Sequence, residues 1–227
     1  MGIPPALHLR MLFEWFGTHT PRREGSVMKV RQYPKQRLFR ANWWLGLALV
    51  AILASGCATT ASFTASDTAT VDRLLGLIKE RLEVAPEVAR TKWNTKAPIE
   101  DLPREKQIID GVAKGATGYG LDPKVAGTFF TGQIEASKVV QKALHAEWTA
   151  RNQPPFEKVA DLGKDIRPVL DRLTPAMMRA LADALPVFEQ AGSRQLLEAR
   201  SKAVLGQGPW GEAAVREAVA PLLKVTR

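Results

Sequence analysis

The chain has a single cysteine, Cys57, in 227 residues, so no disulfide can form within it. Beyond residue 57 it has a single histidine, His145. A metal centre of His and Cys ligands is thereby excluded by count, as is a Cys–His nucleophile pair. A Ser–His–acid triad would have to use His145. That residue lies between Leu144 and Trp148 in a run of helical spacing and reads as helix surface or boundary. No segment after residue 70 sustains the two-residue alternation of a half-buried strand. Gly206 to Pro209 is rich in glycine, but it follows no strand and carries no phosphate-loop pattern, so it reads as a structural loop.

The excess of positive charge is also narrower than it looks. The formal net charge is +9, yet residues 1–57 hold 8 Lys and Arg against 2 acids. The rest holds 24 basic and 21 acidic residues, a net of +3. No basic stripe with interleaved aromatics occurs there, which argues against a nucleic-acid partner.

That basic N-terminal segment has the order of an export signal. Lys29, Arg31, Lys35, Arg37 and Arg40 precede an apolar run of 12 residues, Trp43 to Ala54. A bilayer-spanning helix needs about 20, whereas a signal peptide needs about 7–15. The run closes on Leu53, Ala54, Ser55, Gly56 and Cys57, small residues before a lone cysteine. This end is similar to a bacterial lipobox, with Ala54 where leucine is usual. Residues 28–57 therefore read as a signal peptide, with Cys57 as the lipidation site and ordinary cleavage nearby as the alternative. Residues 1–27, ahead of a second methionine at Met28, read as an over-long start. Small polar residues over 58–70 read as a flexible tether. Contact with a membrane is expected only through the signal or a lipid anchor.

From 71 onward apolar residues recur at three- and four-residue steps, which predicts one all-α domain, a single bundle of about six helices. Leu74, Leu75, Ile78, Leu82, Ala85, Val88 and Ala89 mark the first helix, with a kink expected at Pro86. Asp101 caps the second, Pro103 lies just inside it, and Gly118 and Gly120 stop it. Asp122 and Pro123 open a third that ends before Pro154 and Pro155. Ile166 to Leu173 reads as a short fourth, Thr174 and Pro175 as the cap of a fifth, and Trp210 to Lys224 as the last.

A set of polar residues interrupts this pattern. Arg81 and Lys92 are eleven apart, so they share a helix face about 16 Å apart along its axis. Spacing alone favours two solvent-facing bases, on a helix that also has Lys79 and Arg90, over a grip on a small dianion. Asp101, Arg104 and Glu105 cluster at a helix start, where acids stabilise the dipole and an arginine needs a partner, either an anionic ligand or Asp101. Gln133, Ser137 and Gln141 step by four along one face beside Phe130, Ile134 and Val140. With Arg172 counted, cations outnumber acids in the set. Buried cations need anionic partners, and the shortfall points to a small anionic ligand inside the bundle.

The joint order of these residues resembles a known family. Glu80-Arg81-Leu82-Glu83-Val84-Ala85, Lys92-Trp93, Pro98-Ile99-Glu100-Asp101, Arg104-Glu105, Gly120-Leu121-Asp122-Pro123 and Gln133-Ile134-Glu135-Ala136 are similar to the secreted, gamma-subclass helical chorismate mutases of type II fold. The resemblance runs from about residue 72 to 150 and more loosely to the C-terminus. It implies rearrangement of chorismate to prephenate with no metal and no cofactor. It also implies site roles. Arg81, helped by Ser137, would bind one substrate carboxylate. Lys92 and Gln141 would donate to the ether oxygen, with Lys92 also reaching the second carboxylate. Glu105 would accept from the ring hydroxyl, and Asp101 and Arg104 would shape that end. Arg172, with Arg167 and Arg179 as rivals, would complete the site from the C-terminal helices. A homodimer with a complete site in each chain is expected. The chain departs from some members in lacking a C-terminal disulfide, and in carrying Gln141 where some carry an acid. Two other readings are a non-catalytic periplasmic binding protein for an anionic metabolite and a structural lipoprotein bundle.

Overall fold

The computed structural model describes residues 62–227. The signal-like segment with Cys57, and the first residues of the expected tether, lie outside them. The described residues contain no strand. They form α1 (Ala65–Thr95), α2 (Leu102–Gly115), α3 (Pro123–Ala150), α4 (Arg167–Phe188), α5 (Ser193–Leu205) and α6 (Gly211–Leu223).

The chain from 65 to 70 is helix rather than tether, six residues earlier than the apolar spacing suggests. A reciprocal cap explains this: Thr64 Oγ1 accepts from the Asp67 amide, and Asp67 accepts from the Thr64 amide in return. Two of the free N–H groups at the helix start are satisfied this way. Pro86 lies inside α1 without ending it.

α1 is the central element. It packs against α3, α4 and α5, while α3 also carries α2 and α6. Val71, Leu74, Leu75, Ile78, Leu82 and Ala85 form a buried stripe that meets Phe129, Phe130 and Val140 of α3 and Met177, Leu181 and Phe188 of α4. Asp101 and Asp122 cap α2 and α3 as their positions predict, each followed by proline in the first turn. A short 3-10 turn, Ala116–Tyr119, ends at Gly120 with φ 72°, a left-handed backbone suited to glycine.

Two boundaries differ from the sequence reading. Thr174 and Pro175 do not open a new helix, because α4 runs through them. Pro175 only removes the hydrogen bond to Asp171 one turn back, and Thr174 turns its hydroxyl onto the Leu170 carbonyl at 2.9 Å. Leu173, Met177, Leu181 and Ala184 stay buried in one stripe across the proline, so packing outweighs the lost bond. Six helices remain because α5, which the apolar spacing does not mark, offsets the merging of two expected helices into α4. Its buried positions are Ser193, Leu197, Ser201 and Leu205, a four-residue stripe in which serine replaces half of the apolar signal.

Candidate active site

Arg81 lies in the buried stripe of α1, between Ile78 and Ala85, and is 7% exposed. No acid pairs with it among the described residues, and its Nε has no acceptor. Burial pushes its pKa down to about 10. A guanidinium held dry without a counter-charge raises the energy of the empty protein, and a bound anion would reverse that cost.

Lys92 is in the last turns of α1, three helical turns beyond Arg81. Its Nζ donates to the Ile99 carbonyl at 2.6 Å. Its flanks are fixed by the 151–160 loop. Thr91 Oγ1 donates to the Ala160 carbonyl at 2.6 Å, and Asn94 both donates to and accepts from the Phe156 backbone at 2.8 and 2.9 Å. Trp93 packs on the other side against His145 and Trp148, with ring centres 5.3 and 5.6 Å apart. His145 itself is half-buried, with Nε2 2.9 Å from the Ala89 carbonyl oxygen, so it is a boundary residue. Burial lowers the Lys92 pKa, Asp101 and Glu105 oppose that shift, and Lys138 adds to it.

At the start of α2, Asp101 accepts from the Arg104 amide at 3.2 Å, and Glu105 Oε1 accepts from the Asp101 amide at 3.1 Å. The other carboxylate oxygen of Glu105 accepts from Lys138 Nζ of α3 at 3.0 Å. Nothing in the sequence pattern marks Lys138 as a neighbour of Glu105. Its i,i+3 spacing from Glu135 looks like a solvated surface pair, but its side chain is only 9% exposed. On α3, Gln141 is buried and donates from Nε2 to Ser137 Oγ at 3.0 Å, while its Oε1 has no partner. Gln133, on the same strip, does different work: it donates to the Ala218 carbonyl at 2.8 Å and links α3 to α6.

The expectation that every member of the polar set occupies a buried position holds only in part. Arg81 and Gln141 are buried, Lys92, Arg104, Glu105 and Ser137 are intermediate, and Asp101 and Arg172 are exposed. Asp101 is at the open end of a helix, where a capping side chain meets water. The partner of Arg104 is Asp171 of α4 at 3.7 Å, not the Asp101 side chain, with Gln107 accepting at 2.7 Å. Arg104 and Asp171 also line a cleft of about 480 Å³ between α2 and α4, with Tyr119, Thr174 and Met178. Arg172 makes no ion pair among the described residues. Of its rivals, Arg167 is exposed and Arg179 lies over the Tyr119 ring at 5.8 Å.

Lys92, Asp101, Glu105 and Lys138 thus form one electrostatic cluster, Ser137 and Gln141 form a second polar pair, and Arg81 is a separate buried cation on the helix packed against α3. These side chains supply cationic and neutral hydrogen-bond donors on α1 and α3 and an acceptor on α2. The type II chorismate mutase family model matches residues 68–142. A secreted chorismate mutase of Mycolicibacterium smegmatis is 30% identical over 158 residues, covering 70% of this chain and 87% of the relative. The crystal structure of a chorismate mutase from Burkholderia phymatum superposes with a TM-score of 0.65 at 31% identity, over 70% of this chain and 98% of that one. The corresponding structure from Burkholderia thailandensis gives 0.63 at 35% identity, over 67% and 98%. The chain belongs to the type II chorismate mutase family.

Proposed function

We propose that this protein is an isomerase that rearranges chorismate to prephenate. The observation that carries the reading is Arg81, a buried cation with no acid paired to it among the described residues, on the same helix face as Lys92. The reaction is intramolecular: the ether C–O bond breaks as a C–C bond forms. No group has to be attacked, which suits a body with one histidine and no cysteine. The substrate must be held compact while negative charge grows on its ether oxygen. Holding a reactive conformer and meeting that charge with fixed donors are the two contributions a protein can make.

In this reading Arg81 binds one carboxylate with help from the Ser137 hydroxyl. Lys92 and Gln141 donate to the ether oxygen. Lys92 spends one N–H on Ile99, which aims the ammonium and leaves two N–H groups for substrate. Gln141 uses one amide N–H on Ser137, which leaves the other for substrate. Glu105 accepts from the ring hydroxyl, Asp101 and Arg104 shape that end, and Arg172 closes the site from α4. Loss of chorismate absorbance on adding purified residues 58–227 tests the activity. Tight binding without turnover would instead favour a non-catalytic binding protein, and neither binding nor turnover a structural bundle.

We further infer export, since the M. smegmatis relative bears the name of a secreted enzyme and residues 28–57 read as a signal. Lipid on Cys57 and a homodimer complete the proposal. Mass spectrometry of the membrane fraction tests the first, and sedimentation of the purified domain the second.

A further inference from the structure

We propose that Lys138 is a positioning residue that holds Glu105 toward the substrate and away from Lys92; this rests on the isomerase reading above. Both oxygens of Glu105 are tethered, Oε1 by the Asp101 amide at 3.1 Å and Oε2 by Lys138 Nζ at 3.0 Å. Two tethers fix the plane of the carboxylate. Each oxygen keeps a second acceptor direction free for a ring hydroxyl.

The ammonium doing this is itself constrained. The Lys138 side chain is buried, and its second ion pair, to Glu135 Oε1 at 2.6 Å on its own helix, fixes its direction. Burial alone would lower its pKa, but the hydrogen bonds and charges of Glu135 and Glu105 outweigh it and leave the pKa raised. The cation therefore stays charged at any working pH.

Its role follows from what surrounds Lys92. That ammonium feels the charges of both Glu105 and Lys138. With Lys138 removed, Glu105 loses the cation on its Oε2, and the Lys92 ammonium, which feels its charge, is the cation it can turn to. Pairing there would occupy the donors required by the ether oxygen and withdraw the acceptor of the ring hydroxyl. Lys138 thus keeps an acceptor and a donor of opposite charge apart within one small site.

The test is a kinetic cycle on the purified protein with chorismate. Lys138→Met should lower kcat/KM about ten- to hundredfold, the scale of a lost hydrogen bond to a charged group. In a Glu105→Gln background the same change should cost less than about threefold, because coupled residues are not additive. Lys138→Arg, which keeps the charge, should recover most of the activity. If Lys138→Met does not fold by circular dichroism, Lys138→Gln runs the same cycle. An equal loss in both backgrounds, or no loss in either, overturns the positioning role while leaving the isomerase reading intact. A wild-type protein that does not consume chorismate overturns both.

Discussion

Lys92 Nζ donates to the Ile99 carbonyl at 2.6 Å, which ties the end of α1 to the segment leading into α2. The bond closes a short loop between two elements that each bring charge to the site. It holds the ammonium where Asp101 and Glu105 can be felt, and a flexible lysine becomes a fixed donor. Preorganisation of this kind is what makes a donor effective in a transition state.

Removing that donor is the sharpest test of the proposed mechanism. Lys92→Ala should slow turnover about a hundredfold or more, equivalent to about 2.7–4 kcal/mol of barrier. The fold should survive, as Lys92 is at the rim of the core. Unchanged kcat in the variant removes Lys92 from the mechanism.

Arg81→Met should separate binding from stability. Arg81 is a base whose pKa is lowered in the folded protein to about 10, so its charged form costs stability at any pH below that value. The variant loses this cost, and its melting temperature without ligand should hold or rise. Its Michaelis constant should climb by about tenfold or more, the scale of a lost charged hydrogen bond. An unaltered Michaelis constant contradicts the carboxylate role.

Activity should be flat from pH 5 to 8, because the Gln141 amide donates without needing a proton. It should then fall on the alkaline side. Burial lowers the Lys92 pKa below the ordinary 10.5, so the ammonium is lost as pH rises through that lowered value. Gln141→Glu should move the fall toward neutrality, since a carboxyl donates only when protonated. A steep loss for the wild type between pH 5 and 8 argues against this assignment.

Gly132→Ala tests the joint between α3 and α6. A Cβ there would lie 2.5 Å from Pro221 Cγ and 2.9 Å from the Glu217 carbonyl oxygen. The backbone atom cannot swing aside, so the helices must part. The expected loss is about 1–3 kcal/mol, the usual cost of overpacking, read as a lower melting temperature. An unchanged melting temperature would show that the joint yields freely.

Much of this arrangement was legible beforehand. Capping aspartates followed by proline at 101–103 and 122–123 marked two helix starts, since local hydrogen bonds decide a cap. The eleven-residue step from Arg81 to Lys92 put both on one face, since helix geometry is fixed by the backbone. The polar set was legible only as residues out of place. Nothing local says that Arg104 meets Asp171, that Gln133 serves α6, or that Lys138 reaches Glu105 33 residues away.

An all-helical domain from about residue 71, its first three helices and the excess of cations over acids within them follow from the order of residues alone. Apolar period, caps and charge are properties of neighbours along the chain. Tertiary structure decided that α4 runs through Pro175, that a stripe half made of serine becomes α5, and which cations keep an acid partner. Those outcomes depend on desolvation and on packing against distant helices, and burial by a neighbouring element is set only when the bundle closes.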